Sequence, residues 1–360
     1  MSGVPQGSSL GPLLFLVHIA DIDEDMEHVS VSSFADDTRL SMGIALESDQ
    51  AKMQADLDKA YLWAEQNNML FNGKKFELLR YSFGTNEREQ SYLTPEGQSI
   101  RIENVVSDLG IIMQDTATFT NQIDKMCQKS RQQAGWVLRT FATREAKPIL
   151  ILYKALVLPH LEYCCQLWSP VGQGNIRKLE DVQRNLTSKI SGVTNMNYWE
   201  RLEALSLYSL QRRRERYIIL YTYKILNGVV PNFQNQKFKI ELRENDRRGK
   251  FCRVPPLGNQ KSCRIQTIVD SSFSVLGPRL YNSLPKDLRN FVGSVEAFKG
   301  RLDKILNSVP DKPFLPGYPQ QTVQSNSLLH QLAVMSENNS IVPRAAASSS
   351  SARSVSDLIE

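Results

Sequence analysis

No two cysteines in this sequence are spaced as C-x-x-C. The five that occur (Cys127, Cys164, Cys165, Cys252, Cys263) and the four histidines (His18, His28, His160, His330) are scattered. That scatter excludes a zinc site and gives no disulfide framework, so the chain reads as intracellular, with nucleus and cytoplasm both open. Long apolar runs are missing too. The stretch Leu10–Ile19 is apolar but far short of the ~20 residues a bilayer requires. It has no basic leader or cleavage pattern, so neither a membrane span nor a signal peptide is expected. No segment repeats internally.

What is present is an ordinary globular composition, 41% hydrophobic and 22% charged, with a net charge of +5. A core can be buried, and 360 residues leave room for one large domain or two to three ordinary ones. The charge is unevenly placed. Residues 1–120 hold 8 Lys and Arg against 19 Asp and Glu, while residues 121–253 hold 24 against 11. An acidic first part suits metal chemistry and a basic middle suits phosphate binding. Two solvated surfaces of opposite sign that dock on each other give the same pattern.

Hydrophobic periodicity divides the chain. Gly3 to Pro12 is a turn-rich loop leading into an apolar helix, with Pro12 near the first turn where a missing N–H is harmless. Val29–Phe34 alternates like a strand and Thr38–Met42 like a second, which puts Ala35-Asp36-Asp37 at a hairpin tip. Residues 48–67 predict a helix, with Met53, Leu57, Ala60, Tyr61 and Ala64 on one stripe. Leu70–Phe83 reads as strands broken by Asn72-Gly73, and Asn104–Met113 as a strand pair around Asp108-Leu109-Gly110. Beyond residue 116, amphipathic helices are expected over Phe119–Phe141, Glu145–Leu158, Asn175–Ile190 and Tyr198–Leu226. Residues 232–312 mix turns and short helices. Residues 313–360, rich in Ser, Asn, Gln and Pro, are expected to be disordered.

Adjacent carboxylates at a hairpin tip sit close enough to hold hard divalent cations through oxygen. Two Mg²⁺ ions about 3.5–4 Å apart can activate a 3′-hydroxyl and stabilise the leaving pyrophosphate. A lone Asp-Asp is also a common turn pair, so Asp36 and Asp37 need their context.

The context is Gly3-Val4-Pro5-Gln6-Gly7-Ser8, then about 30 residues, then Phe34-Ala35-Asp36-Asp37. Together GVPQGSSLGPLLFL and FADDTRL resemble the reverse transcriptases of non-LTR (LINE-type) retrotransposons of the jockey and chicken-repeat kind. The resemblance implies that Pro5, Gln6, Gly7 and Ser8, with Phe34 and Ala35, line the nucleotide and template site. It implies that Asp36 and Asp37 bind Mg²⁺ or Mn²⁺ in the palm. Residues Trp63 to Lys75 resemble the family's next segment, which makes Lys75 the candidate cation beside the triphosphate; Lys74 is its neighbour, and a solvated turn lysine is the plain alternative. Asp108-Leu109-Gly110 resembles the primer grip, with Leu109 and Gly110 at its turn, or is an ordinary turn. Leu158 to Tyr163, Leu167 to Pro170 and Gly277 to Pro285 resemble the region beyond the palm, so the likeness runs in order over residues 3–305. His160 and Trp168 read as core packing before nucleic-acid contact. Arg212, Arg213, Arg214 and Arg216 suit phosphate contact in a helical thumb, or a solvated helix face.

The resemblance also implies a third catalytic aspartate on a palm strand preceding GVPQGS. Only Met1 and Ser2 stand there, so the expectation is a fragment lacking fingers, that strand and the N-terminal endonuclease, and inactive alone. The expected fold class is α+β. A partial polymerase palm, a small antiparallel sheet backed by helices, covers residues 1–115. A basic, helical, thumb-like region covers 116–230, a C-terminal extension 231–312 and the tail 313–360. The implied partners are an RNA template, a DNA primer and deoxynucleoside triphosphates; the alternative is a non-catalytic RNA- or DNA-binding remnant.

Overall fold

The computed structural model describes residues 7–69, 71–82, 91–230, 242–243, 249–254, 263–312 and 326–341. Mixed helices and short strands make the fold α+β. The chain divides into two compact units, residues 1–107 with 114–116, and residues 108–113 with 117–360.

In the first unit, α1 (Gly11–His18) begins with a proline in its first turn. The hairpin of β1 (Ser30–Phe34) and β2 (Asp37–Ser41) follows, then α2 (Glu47–Gln66). The α2 stripe faces inward as its spacing requires, with Leu57, Ala60 and Ala64 buried. A 3-10 turn, Gly73–Lys75, leads to β3 (Glu77–Leu79), which pairs with β4 (Arg101–Glu103). The expected single antiparallel sheet is corrected here. β1–β2 and β3–β4 are separate two-stranded ladders, and the second is parallel. Alternation along a sequence locates strands but not their partners, and β3 and β4 are only three residues each. The core is small: Leu57, Tyr92 and Ile100, with Met53, Tyr61, Phe76 and Leu78 against them. The helix α1 leaves Leu13, Leu14, Leu16 and Val17 about half exposed or more.

The strands β5 (Val105–Asp108) and β6 (Ile111–Gln114) flank the turn Leu109-Gly110, where the chain passes from one unit to the other. The second unit then builds two cores. The first is made by α3 (Thr120–Thr140), α4 (Ala146–Leu152), a π turn over Tyr153–Val157, α5 (Leu158–Glu162), α6 (Cys165–Trp168), α7 (Gln173–Thr187) and α8 (Tyr198–Ala204). The expected helix over Tyr198–Leu226 is two helices. Ser206 takes a left-handed backbone (φ 50°), and Ser209 caps α9 (Leu210–Leu226) by accepting from the Arg212 N–H at 3.1 Å.

After β7 (Leu242–Arg243) and β8 (Phe251–Cys252), which pair antiparallel, come α10 (Cys263–Ser271), α11 (Phe273–Asn282), α12 (Lys286–Arg289), α13 (Val295–Ser308) and α14 (Leu328–Ile341). The second core joins the C-terminal half of α9 to α11, α12, α13 and α14. Tyr223 and Phe298 stack there at 3.8 Å between ring centroids. Gly277 lets α11 approach α9 closely, since a Cβ on it would stand 2.7 Å from Thr222 Oγ1. The tail expectation is corrected over residues 326–341. Leu328, Leu329, Leu332 and Met335 give α14 an apolar stripe, and Leu328 is fully buried. The rest of the tail, like residues 231–241, lies outside the described residues.

Candidate functional site

The β1–β2 hairpin carries the paired carboxylates. Its register runs from Ser30↔Ser41 to Phe34↔Asp37, so a two-residue loop, Ala35-Asp36, closes it. Ala35 has φ 53°, the positive value that tight hairpin loops demand, with no glycine to relieve it. The tip thus holds Asp36 in the loop and Asp37 as the first residue of β2. Both are exposed. Among the described residues neither carboxylate has a hydrogen-bond or ion-pair partner.

Cross-strand pairing sorts the two faces. Phe34 shares a face with Asp37, Ser32 with Arg39, and that face is open, with Phe34 66% exposed. Val31, Ser33, Thr38 and Leu40 form the other face, and Ser33 Oγ lies 3.1 Å from Thr38 Oγ1. A cleft of about 270 Å³ opens on that second face, lined by Leu16, Ile19, Ala20, Ile22, Asp23, Val31 and Ser33. Its walls are mostly apolar, with Asp23 the one carboxylate among them, while Asp37 lies on the open face.

A residue that the sequence patterns do not single out holds this hairpin. Asp56 of α2 is fully buried and accepts from the backbone N–H groups of Glu27 (3.3 Å), His28 (2.6 Å) and Val29 (3.0 Å), the segment entering β1. Lys59 Nζ stands 3.2 Å from Asp56, 2.7 Å from the Asp25 carbonyl and 3.3 Å from Glu27. Burial pushes the Asp56 carboxyl up, but the three N–H donors and Lys59 outweigh it and hold it below the usual carboxylate value. Asp49 closes the start of α2 by accepting from Leu46 N–H (2.8 Å), Ala45 N–H (3.0 Å) and Lys52 (2.9 Å). The Leu46 N–H, then Lys52 and the Ala45 N–H, pull its carboxyl down to about 2.

Both carboxyls are depressed in the folded chain. They therefore favour folding above the ordinary value of 3.8, and that contribution is lost as pH falls through the folded values. Acid titration followed by circular dichroism should show the first unit losing structure between about pH 4 and pH 2. Asp49→Asn should move that transition to higher pH; an unmoved transition would mean Asp49 does not cap α2.

Lys75 closes the 3-10 turn and is exposed; the Asn72 side chain accepts from the Lys74 N–H at 3.2 Å. Tyr61, Phe71 and Phe76, in edge contacts at 5.6–6.1 Å, fix this turn to α2. Among the described residues no ion pair joins Lys75 to Asp36 or Asp37. Gly7 and Ser8 precede α1, and Ser8 Oγ accepts from the Gly11 N–H at 3.0 Å. Pro5 and Gln6 lie outside the described residues.

In the second unit, Leu109 (φ 45°) and Gly110 (φ 82°) are both left-handed, the signature of a type I′ turn. Tyr163 Oη donates to the Leu109 carbonyl at 3.0 Å, and the Tyr163 carbonyl accepts from Trp168 Nε1 at 2.8 Å. Trp168 is 1% exposed and is core, as expected. Burial, with Lys129 nearby, lowers the His160 pKa.

The four arginines of α9 are turned inward, which corrects both expectations for them. Arg212 is fully buried and donates to the carbonyls of Leu306 (3.5 Å), Val309 (3.2 Å) and Pro310 (2.8 Å), capping the end of α13. Arg216 forks onto Asp303 at 2.5 and 2.8 Å, and Arg213 pairs with Glu162. Arg214 is 1% exposed, and its guanidinium nitrogens have no hydrogen-bond partner among the described residues. Burial lowers its pKa, with Glu180 the foremost opposing charge. The run therefore ties the two cores together at the helix that crosses both, and presents no open cationic face.

A two-ion centre needs more than Asp36 and Asp37. Among the described residues no group of three or more His, Cys, Asp or Glu side chains is placed to hold a metal. The pair fits one part of such a site and not the whole. No helix among the described residues is long and apolar enough to cross a membrane.

Comparison with known proteins gives the same likeness as the motifs. The chain is 27% identical over 202 residues to the RNA-directed DNA polymerase from mobile element jockey of Drosophila melanogaster, covering 53% of this chain and 22% of that protein. It is 24% identical over 199 residues to the probable RNA-directed DNA polymerase from transposon X-element of the same fly, covering 53% and 22%. It is 24% identical over 246 residues to that fly's probable RNA-directed DNA polymerase from transposon BS, covering 62% and 26%. The chain thus spans about a quarter of the length of the curated relatives it matches. No family model matches, and no solved structure matches.

Proposed function

We propose, from this similarity to the reverse transcriptases of non-LTR retrotransposons, that the chain carries the catalytic hairpin of an RNA-directed DNA polymerase. The reaction is attack of a DNA primer 3′-hydroxyl on a deoxynucleoside triphosphate chosen by an RNA template. The observation that carries the reading is the unpartnered pair Asp36 and Asp37 at a solvent-facing hairpin tip, inside the sequence FADD. Elsewhere in the same unit, Asp49 and Asp56 are bound up in backbone caps. Two carboxylates left free at a strained tip, with Ala35 left-handed, suit a ligand from outside the fold.

On this reading the first unit belongs to a palm and the helices after residue 116 to a thumb-like region. Mg²⁺ or Mn²⁺, held by Asp36 and Asp37 with further ligands, supplies Lewis-acid chemistry when bound. Phe34, Ala35, Gly7 and Ser8, with Pro5 and Gln6, bound the nucleotide. Lys75 offers a cation to the triphosphate, and Leu109-Gly110 bring backbone close to the primer.

The test is primer extension on a primed RNA template with Mg²⁺ or Mn²⁺. The chain is assayed alone and with the preceding polymerase segment of a jockey-type relative added. Extension in the mixture that falls at least about 100-fold in Asp36→Asn is the expected result. Equal extension by the Asp36→Asn chain would overturn the catalytic reading. A second reading is a nucleic-acid-binding remnant without catalysis. It is favoured by the lack, among the described residues, of a third metal-ligating side chain beside the pair, and it predicts binding without extension in every mixture.

A further inference from the structure

The second unit keeps a different set of cations free. On α3, the residues Lys125, Lys129, Gln132, Trp136 and Arg139 are all exposed, with Trp136 46% exposed. At about 100° per residue, these positions fall within roughly 80° of arc, opposite the buried face of Ile123, Cys127, Ser130, Ala134 and Val137. No carboxylate lies in the stripe. The following helical stretch repeats the pattern, with Lys147, Ile151 and Lys154 exposed. The two stretches pack into one core, Met126, Cys127 and Ala134 from α3 with Ile149, Tyr153 and Val157 from the next. Among the described residues none of these five cations has an ion-pair partner. That separates them from Lys178, Arg184, Arg213 and Arg216, each of which is matched to an acid within the fold.

We infer that this face of α3 and the adjoining helix binds a nucleic-acid strand, its cations on phosphates and Trp136 against a base or sugar. The inference deepens the proposed function by locating a nucleic-acid surface that the α9 arginines do not provide. The geometry suits the occupant. From Lys125 to Arg139 is about 21 Å along the helix axis, which matches about six phosphate steps of 3.4 Å. An exposed tryptophan between unpaired cations gives a base a surface on which to stack without sequence preference.

The experiment measures the affinity of the whole chain for a labelled DNA primer annealed to an RNA template, without metal or nucleotide, across a range of salt. Five phosphate contacts predict a log–log slope of about −4 to −5. The combined change Lys125→Gln, Lys129→Gln and Arg139→Gln should reduce that slope by about 2 to 3 and weaken binding about 10- to 100-fold at low salt. Lys147→Gln with Lys154→Gln, made separately, should reduce it by about 2. Trp136→Ala should weaken binding to a single strand about 5-fold or more with the slope unchanged. All sites are exposed, so thermal melting should match the parent chain. Arg177→Gln, an exposed cation on α7, serves as control.

A slope unchanged in both combined variants, or lost equally in the control, would overturn the inference. So would tighter binding to anionic phospholipid vesicles than to the primed template. Because no extension is read, failure here leaves the Asp36 chemistry standing, and failure of extension leaves this surface standing.

Discussion

Asp56→Ala should unfold the first unit or leave it marginal. Three backbone N–H groups lose their acceptor, and Lys59 loses its nearest carboxylate. At ~1–3 kcal/mol for each buried donor left unmet, the loss is about 3 kcal/mol or more. That is a large share of the ~5–15 kcal/mol available to a typical domain. Urea unfolding followed by Trp63, which donates to Asp21 Oδ1 at 3.0 Å, reads this unit directly. Asp56→Asn keeps one accepting oxygen and should cost about half as much. A change below about 1 kcal/mol for the alanine variant would mean the segment entering β1 has another anchor.

The second large effect is expected at Glu180→Ala. Glu180 is buried and accepts from Tyr198 Oη (2.5 Å), Leu210 N–H (3.2 Å) and Gln211 N–H (2.8 Å) at the start of α9. Tyr198 in turn accepts from Gln183, which also accepts from the Tyr153 hydroxyl at 2.6 Å. Removing Glu180 breaks this network at its charged end and leaves Arg214 buried without its foremost opposing charge. Three buried donors left unmet at ~1–3 kcal/mol each make the loss about 3 kcal/mol or more. Glu180→Gln keeps the shape and one acceptor and should cost less. Calorimetry of both variants decides; equal melting temperatures for parent and Glu180→Ala would remove the network from the account.

How far the sequence was legible depended on how local each feature was. The β1–β2 hairpin is legible because alternation, a turn and two carboxylates fit within a dozen residues, and both strands form there. Helix α2 followed from the period of its apolar stripe. The partners of Arg212, Arg213 and Arg216 lie 51 to 98 residues away in sequence, so no local pattern reveals them. A run of arginines reads the same whether it meets phosphate or the end of another helix. Asp56 left one signal, a carboxylate in phase with Met53 and Ala60 on the apolar stripe, where a charge must have a buried partner. The stripe of Leu328, Leu332 and Met335 was legible too, but its Ser- and Asn-rich surroundings outweighed it. Strand pairing beyond the hairpin was not legible, because short strands carry no register signal of their own.

The central claim is that the tip of the β1–β2 hairpin meets the growing end of a nucleic acid. The direct measurement is photocrosslinking from a reactive nucleotide at the primer 3′ end, annealed to an RNA template, followed by peptide mapping of the whole chain. Label is expected on residues 33–38, around Asp36 and Asp37, reduced by competing unlabelled primed template. Label confined to other segments, with none on the hairpin tip, would contradict it.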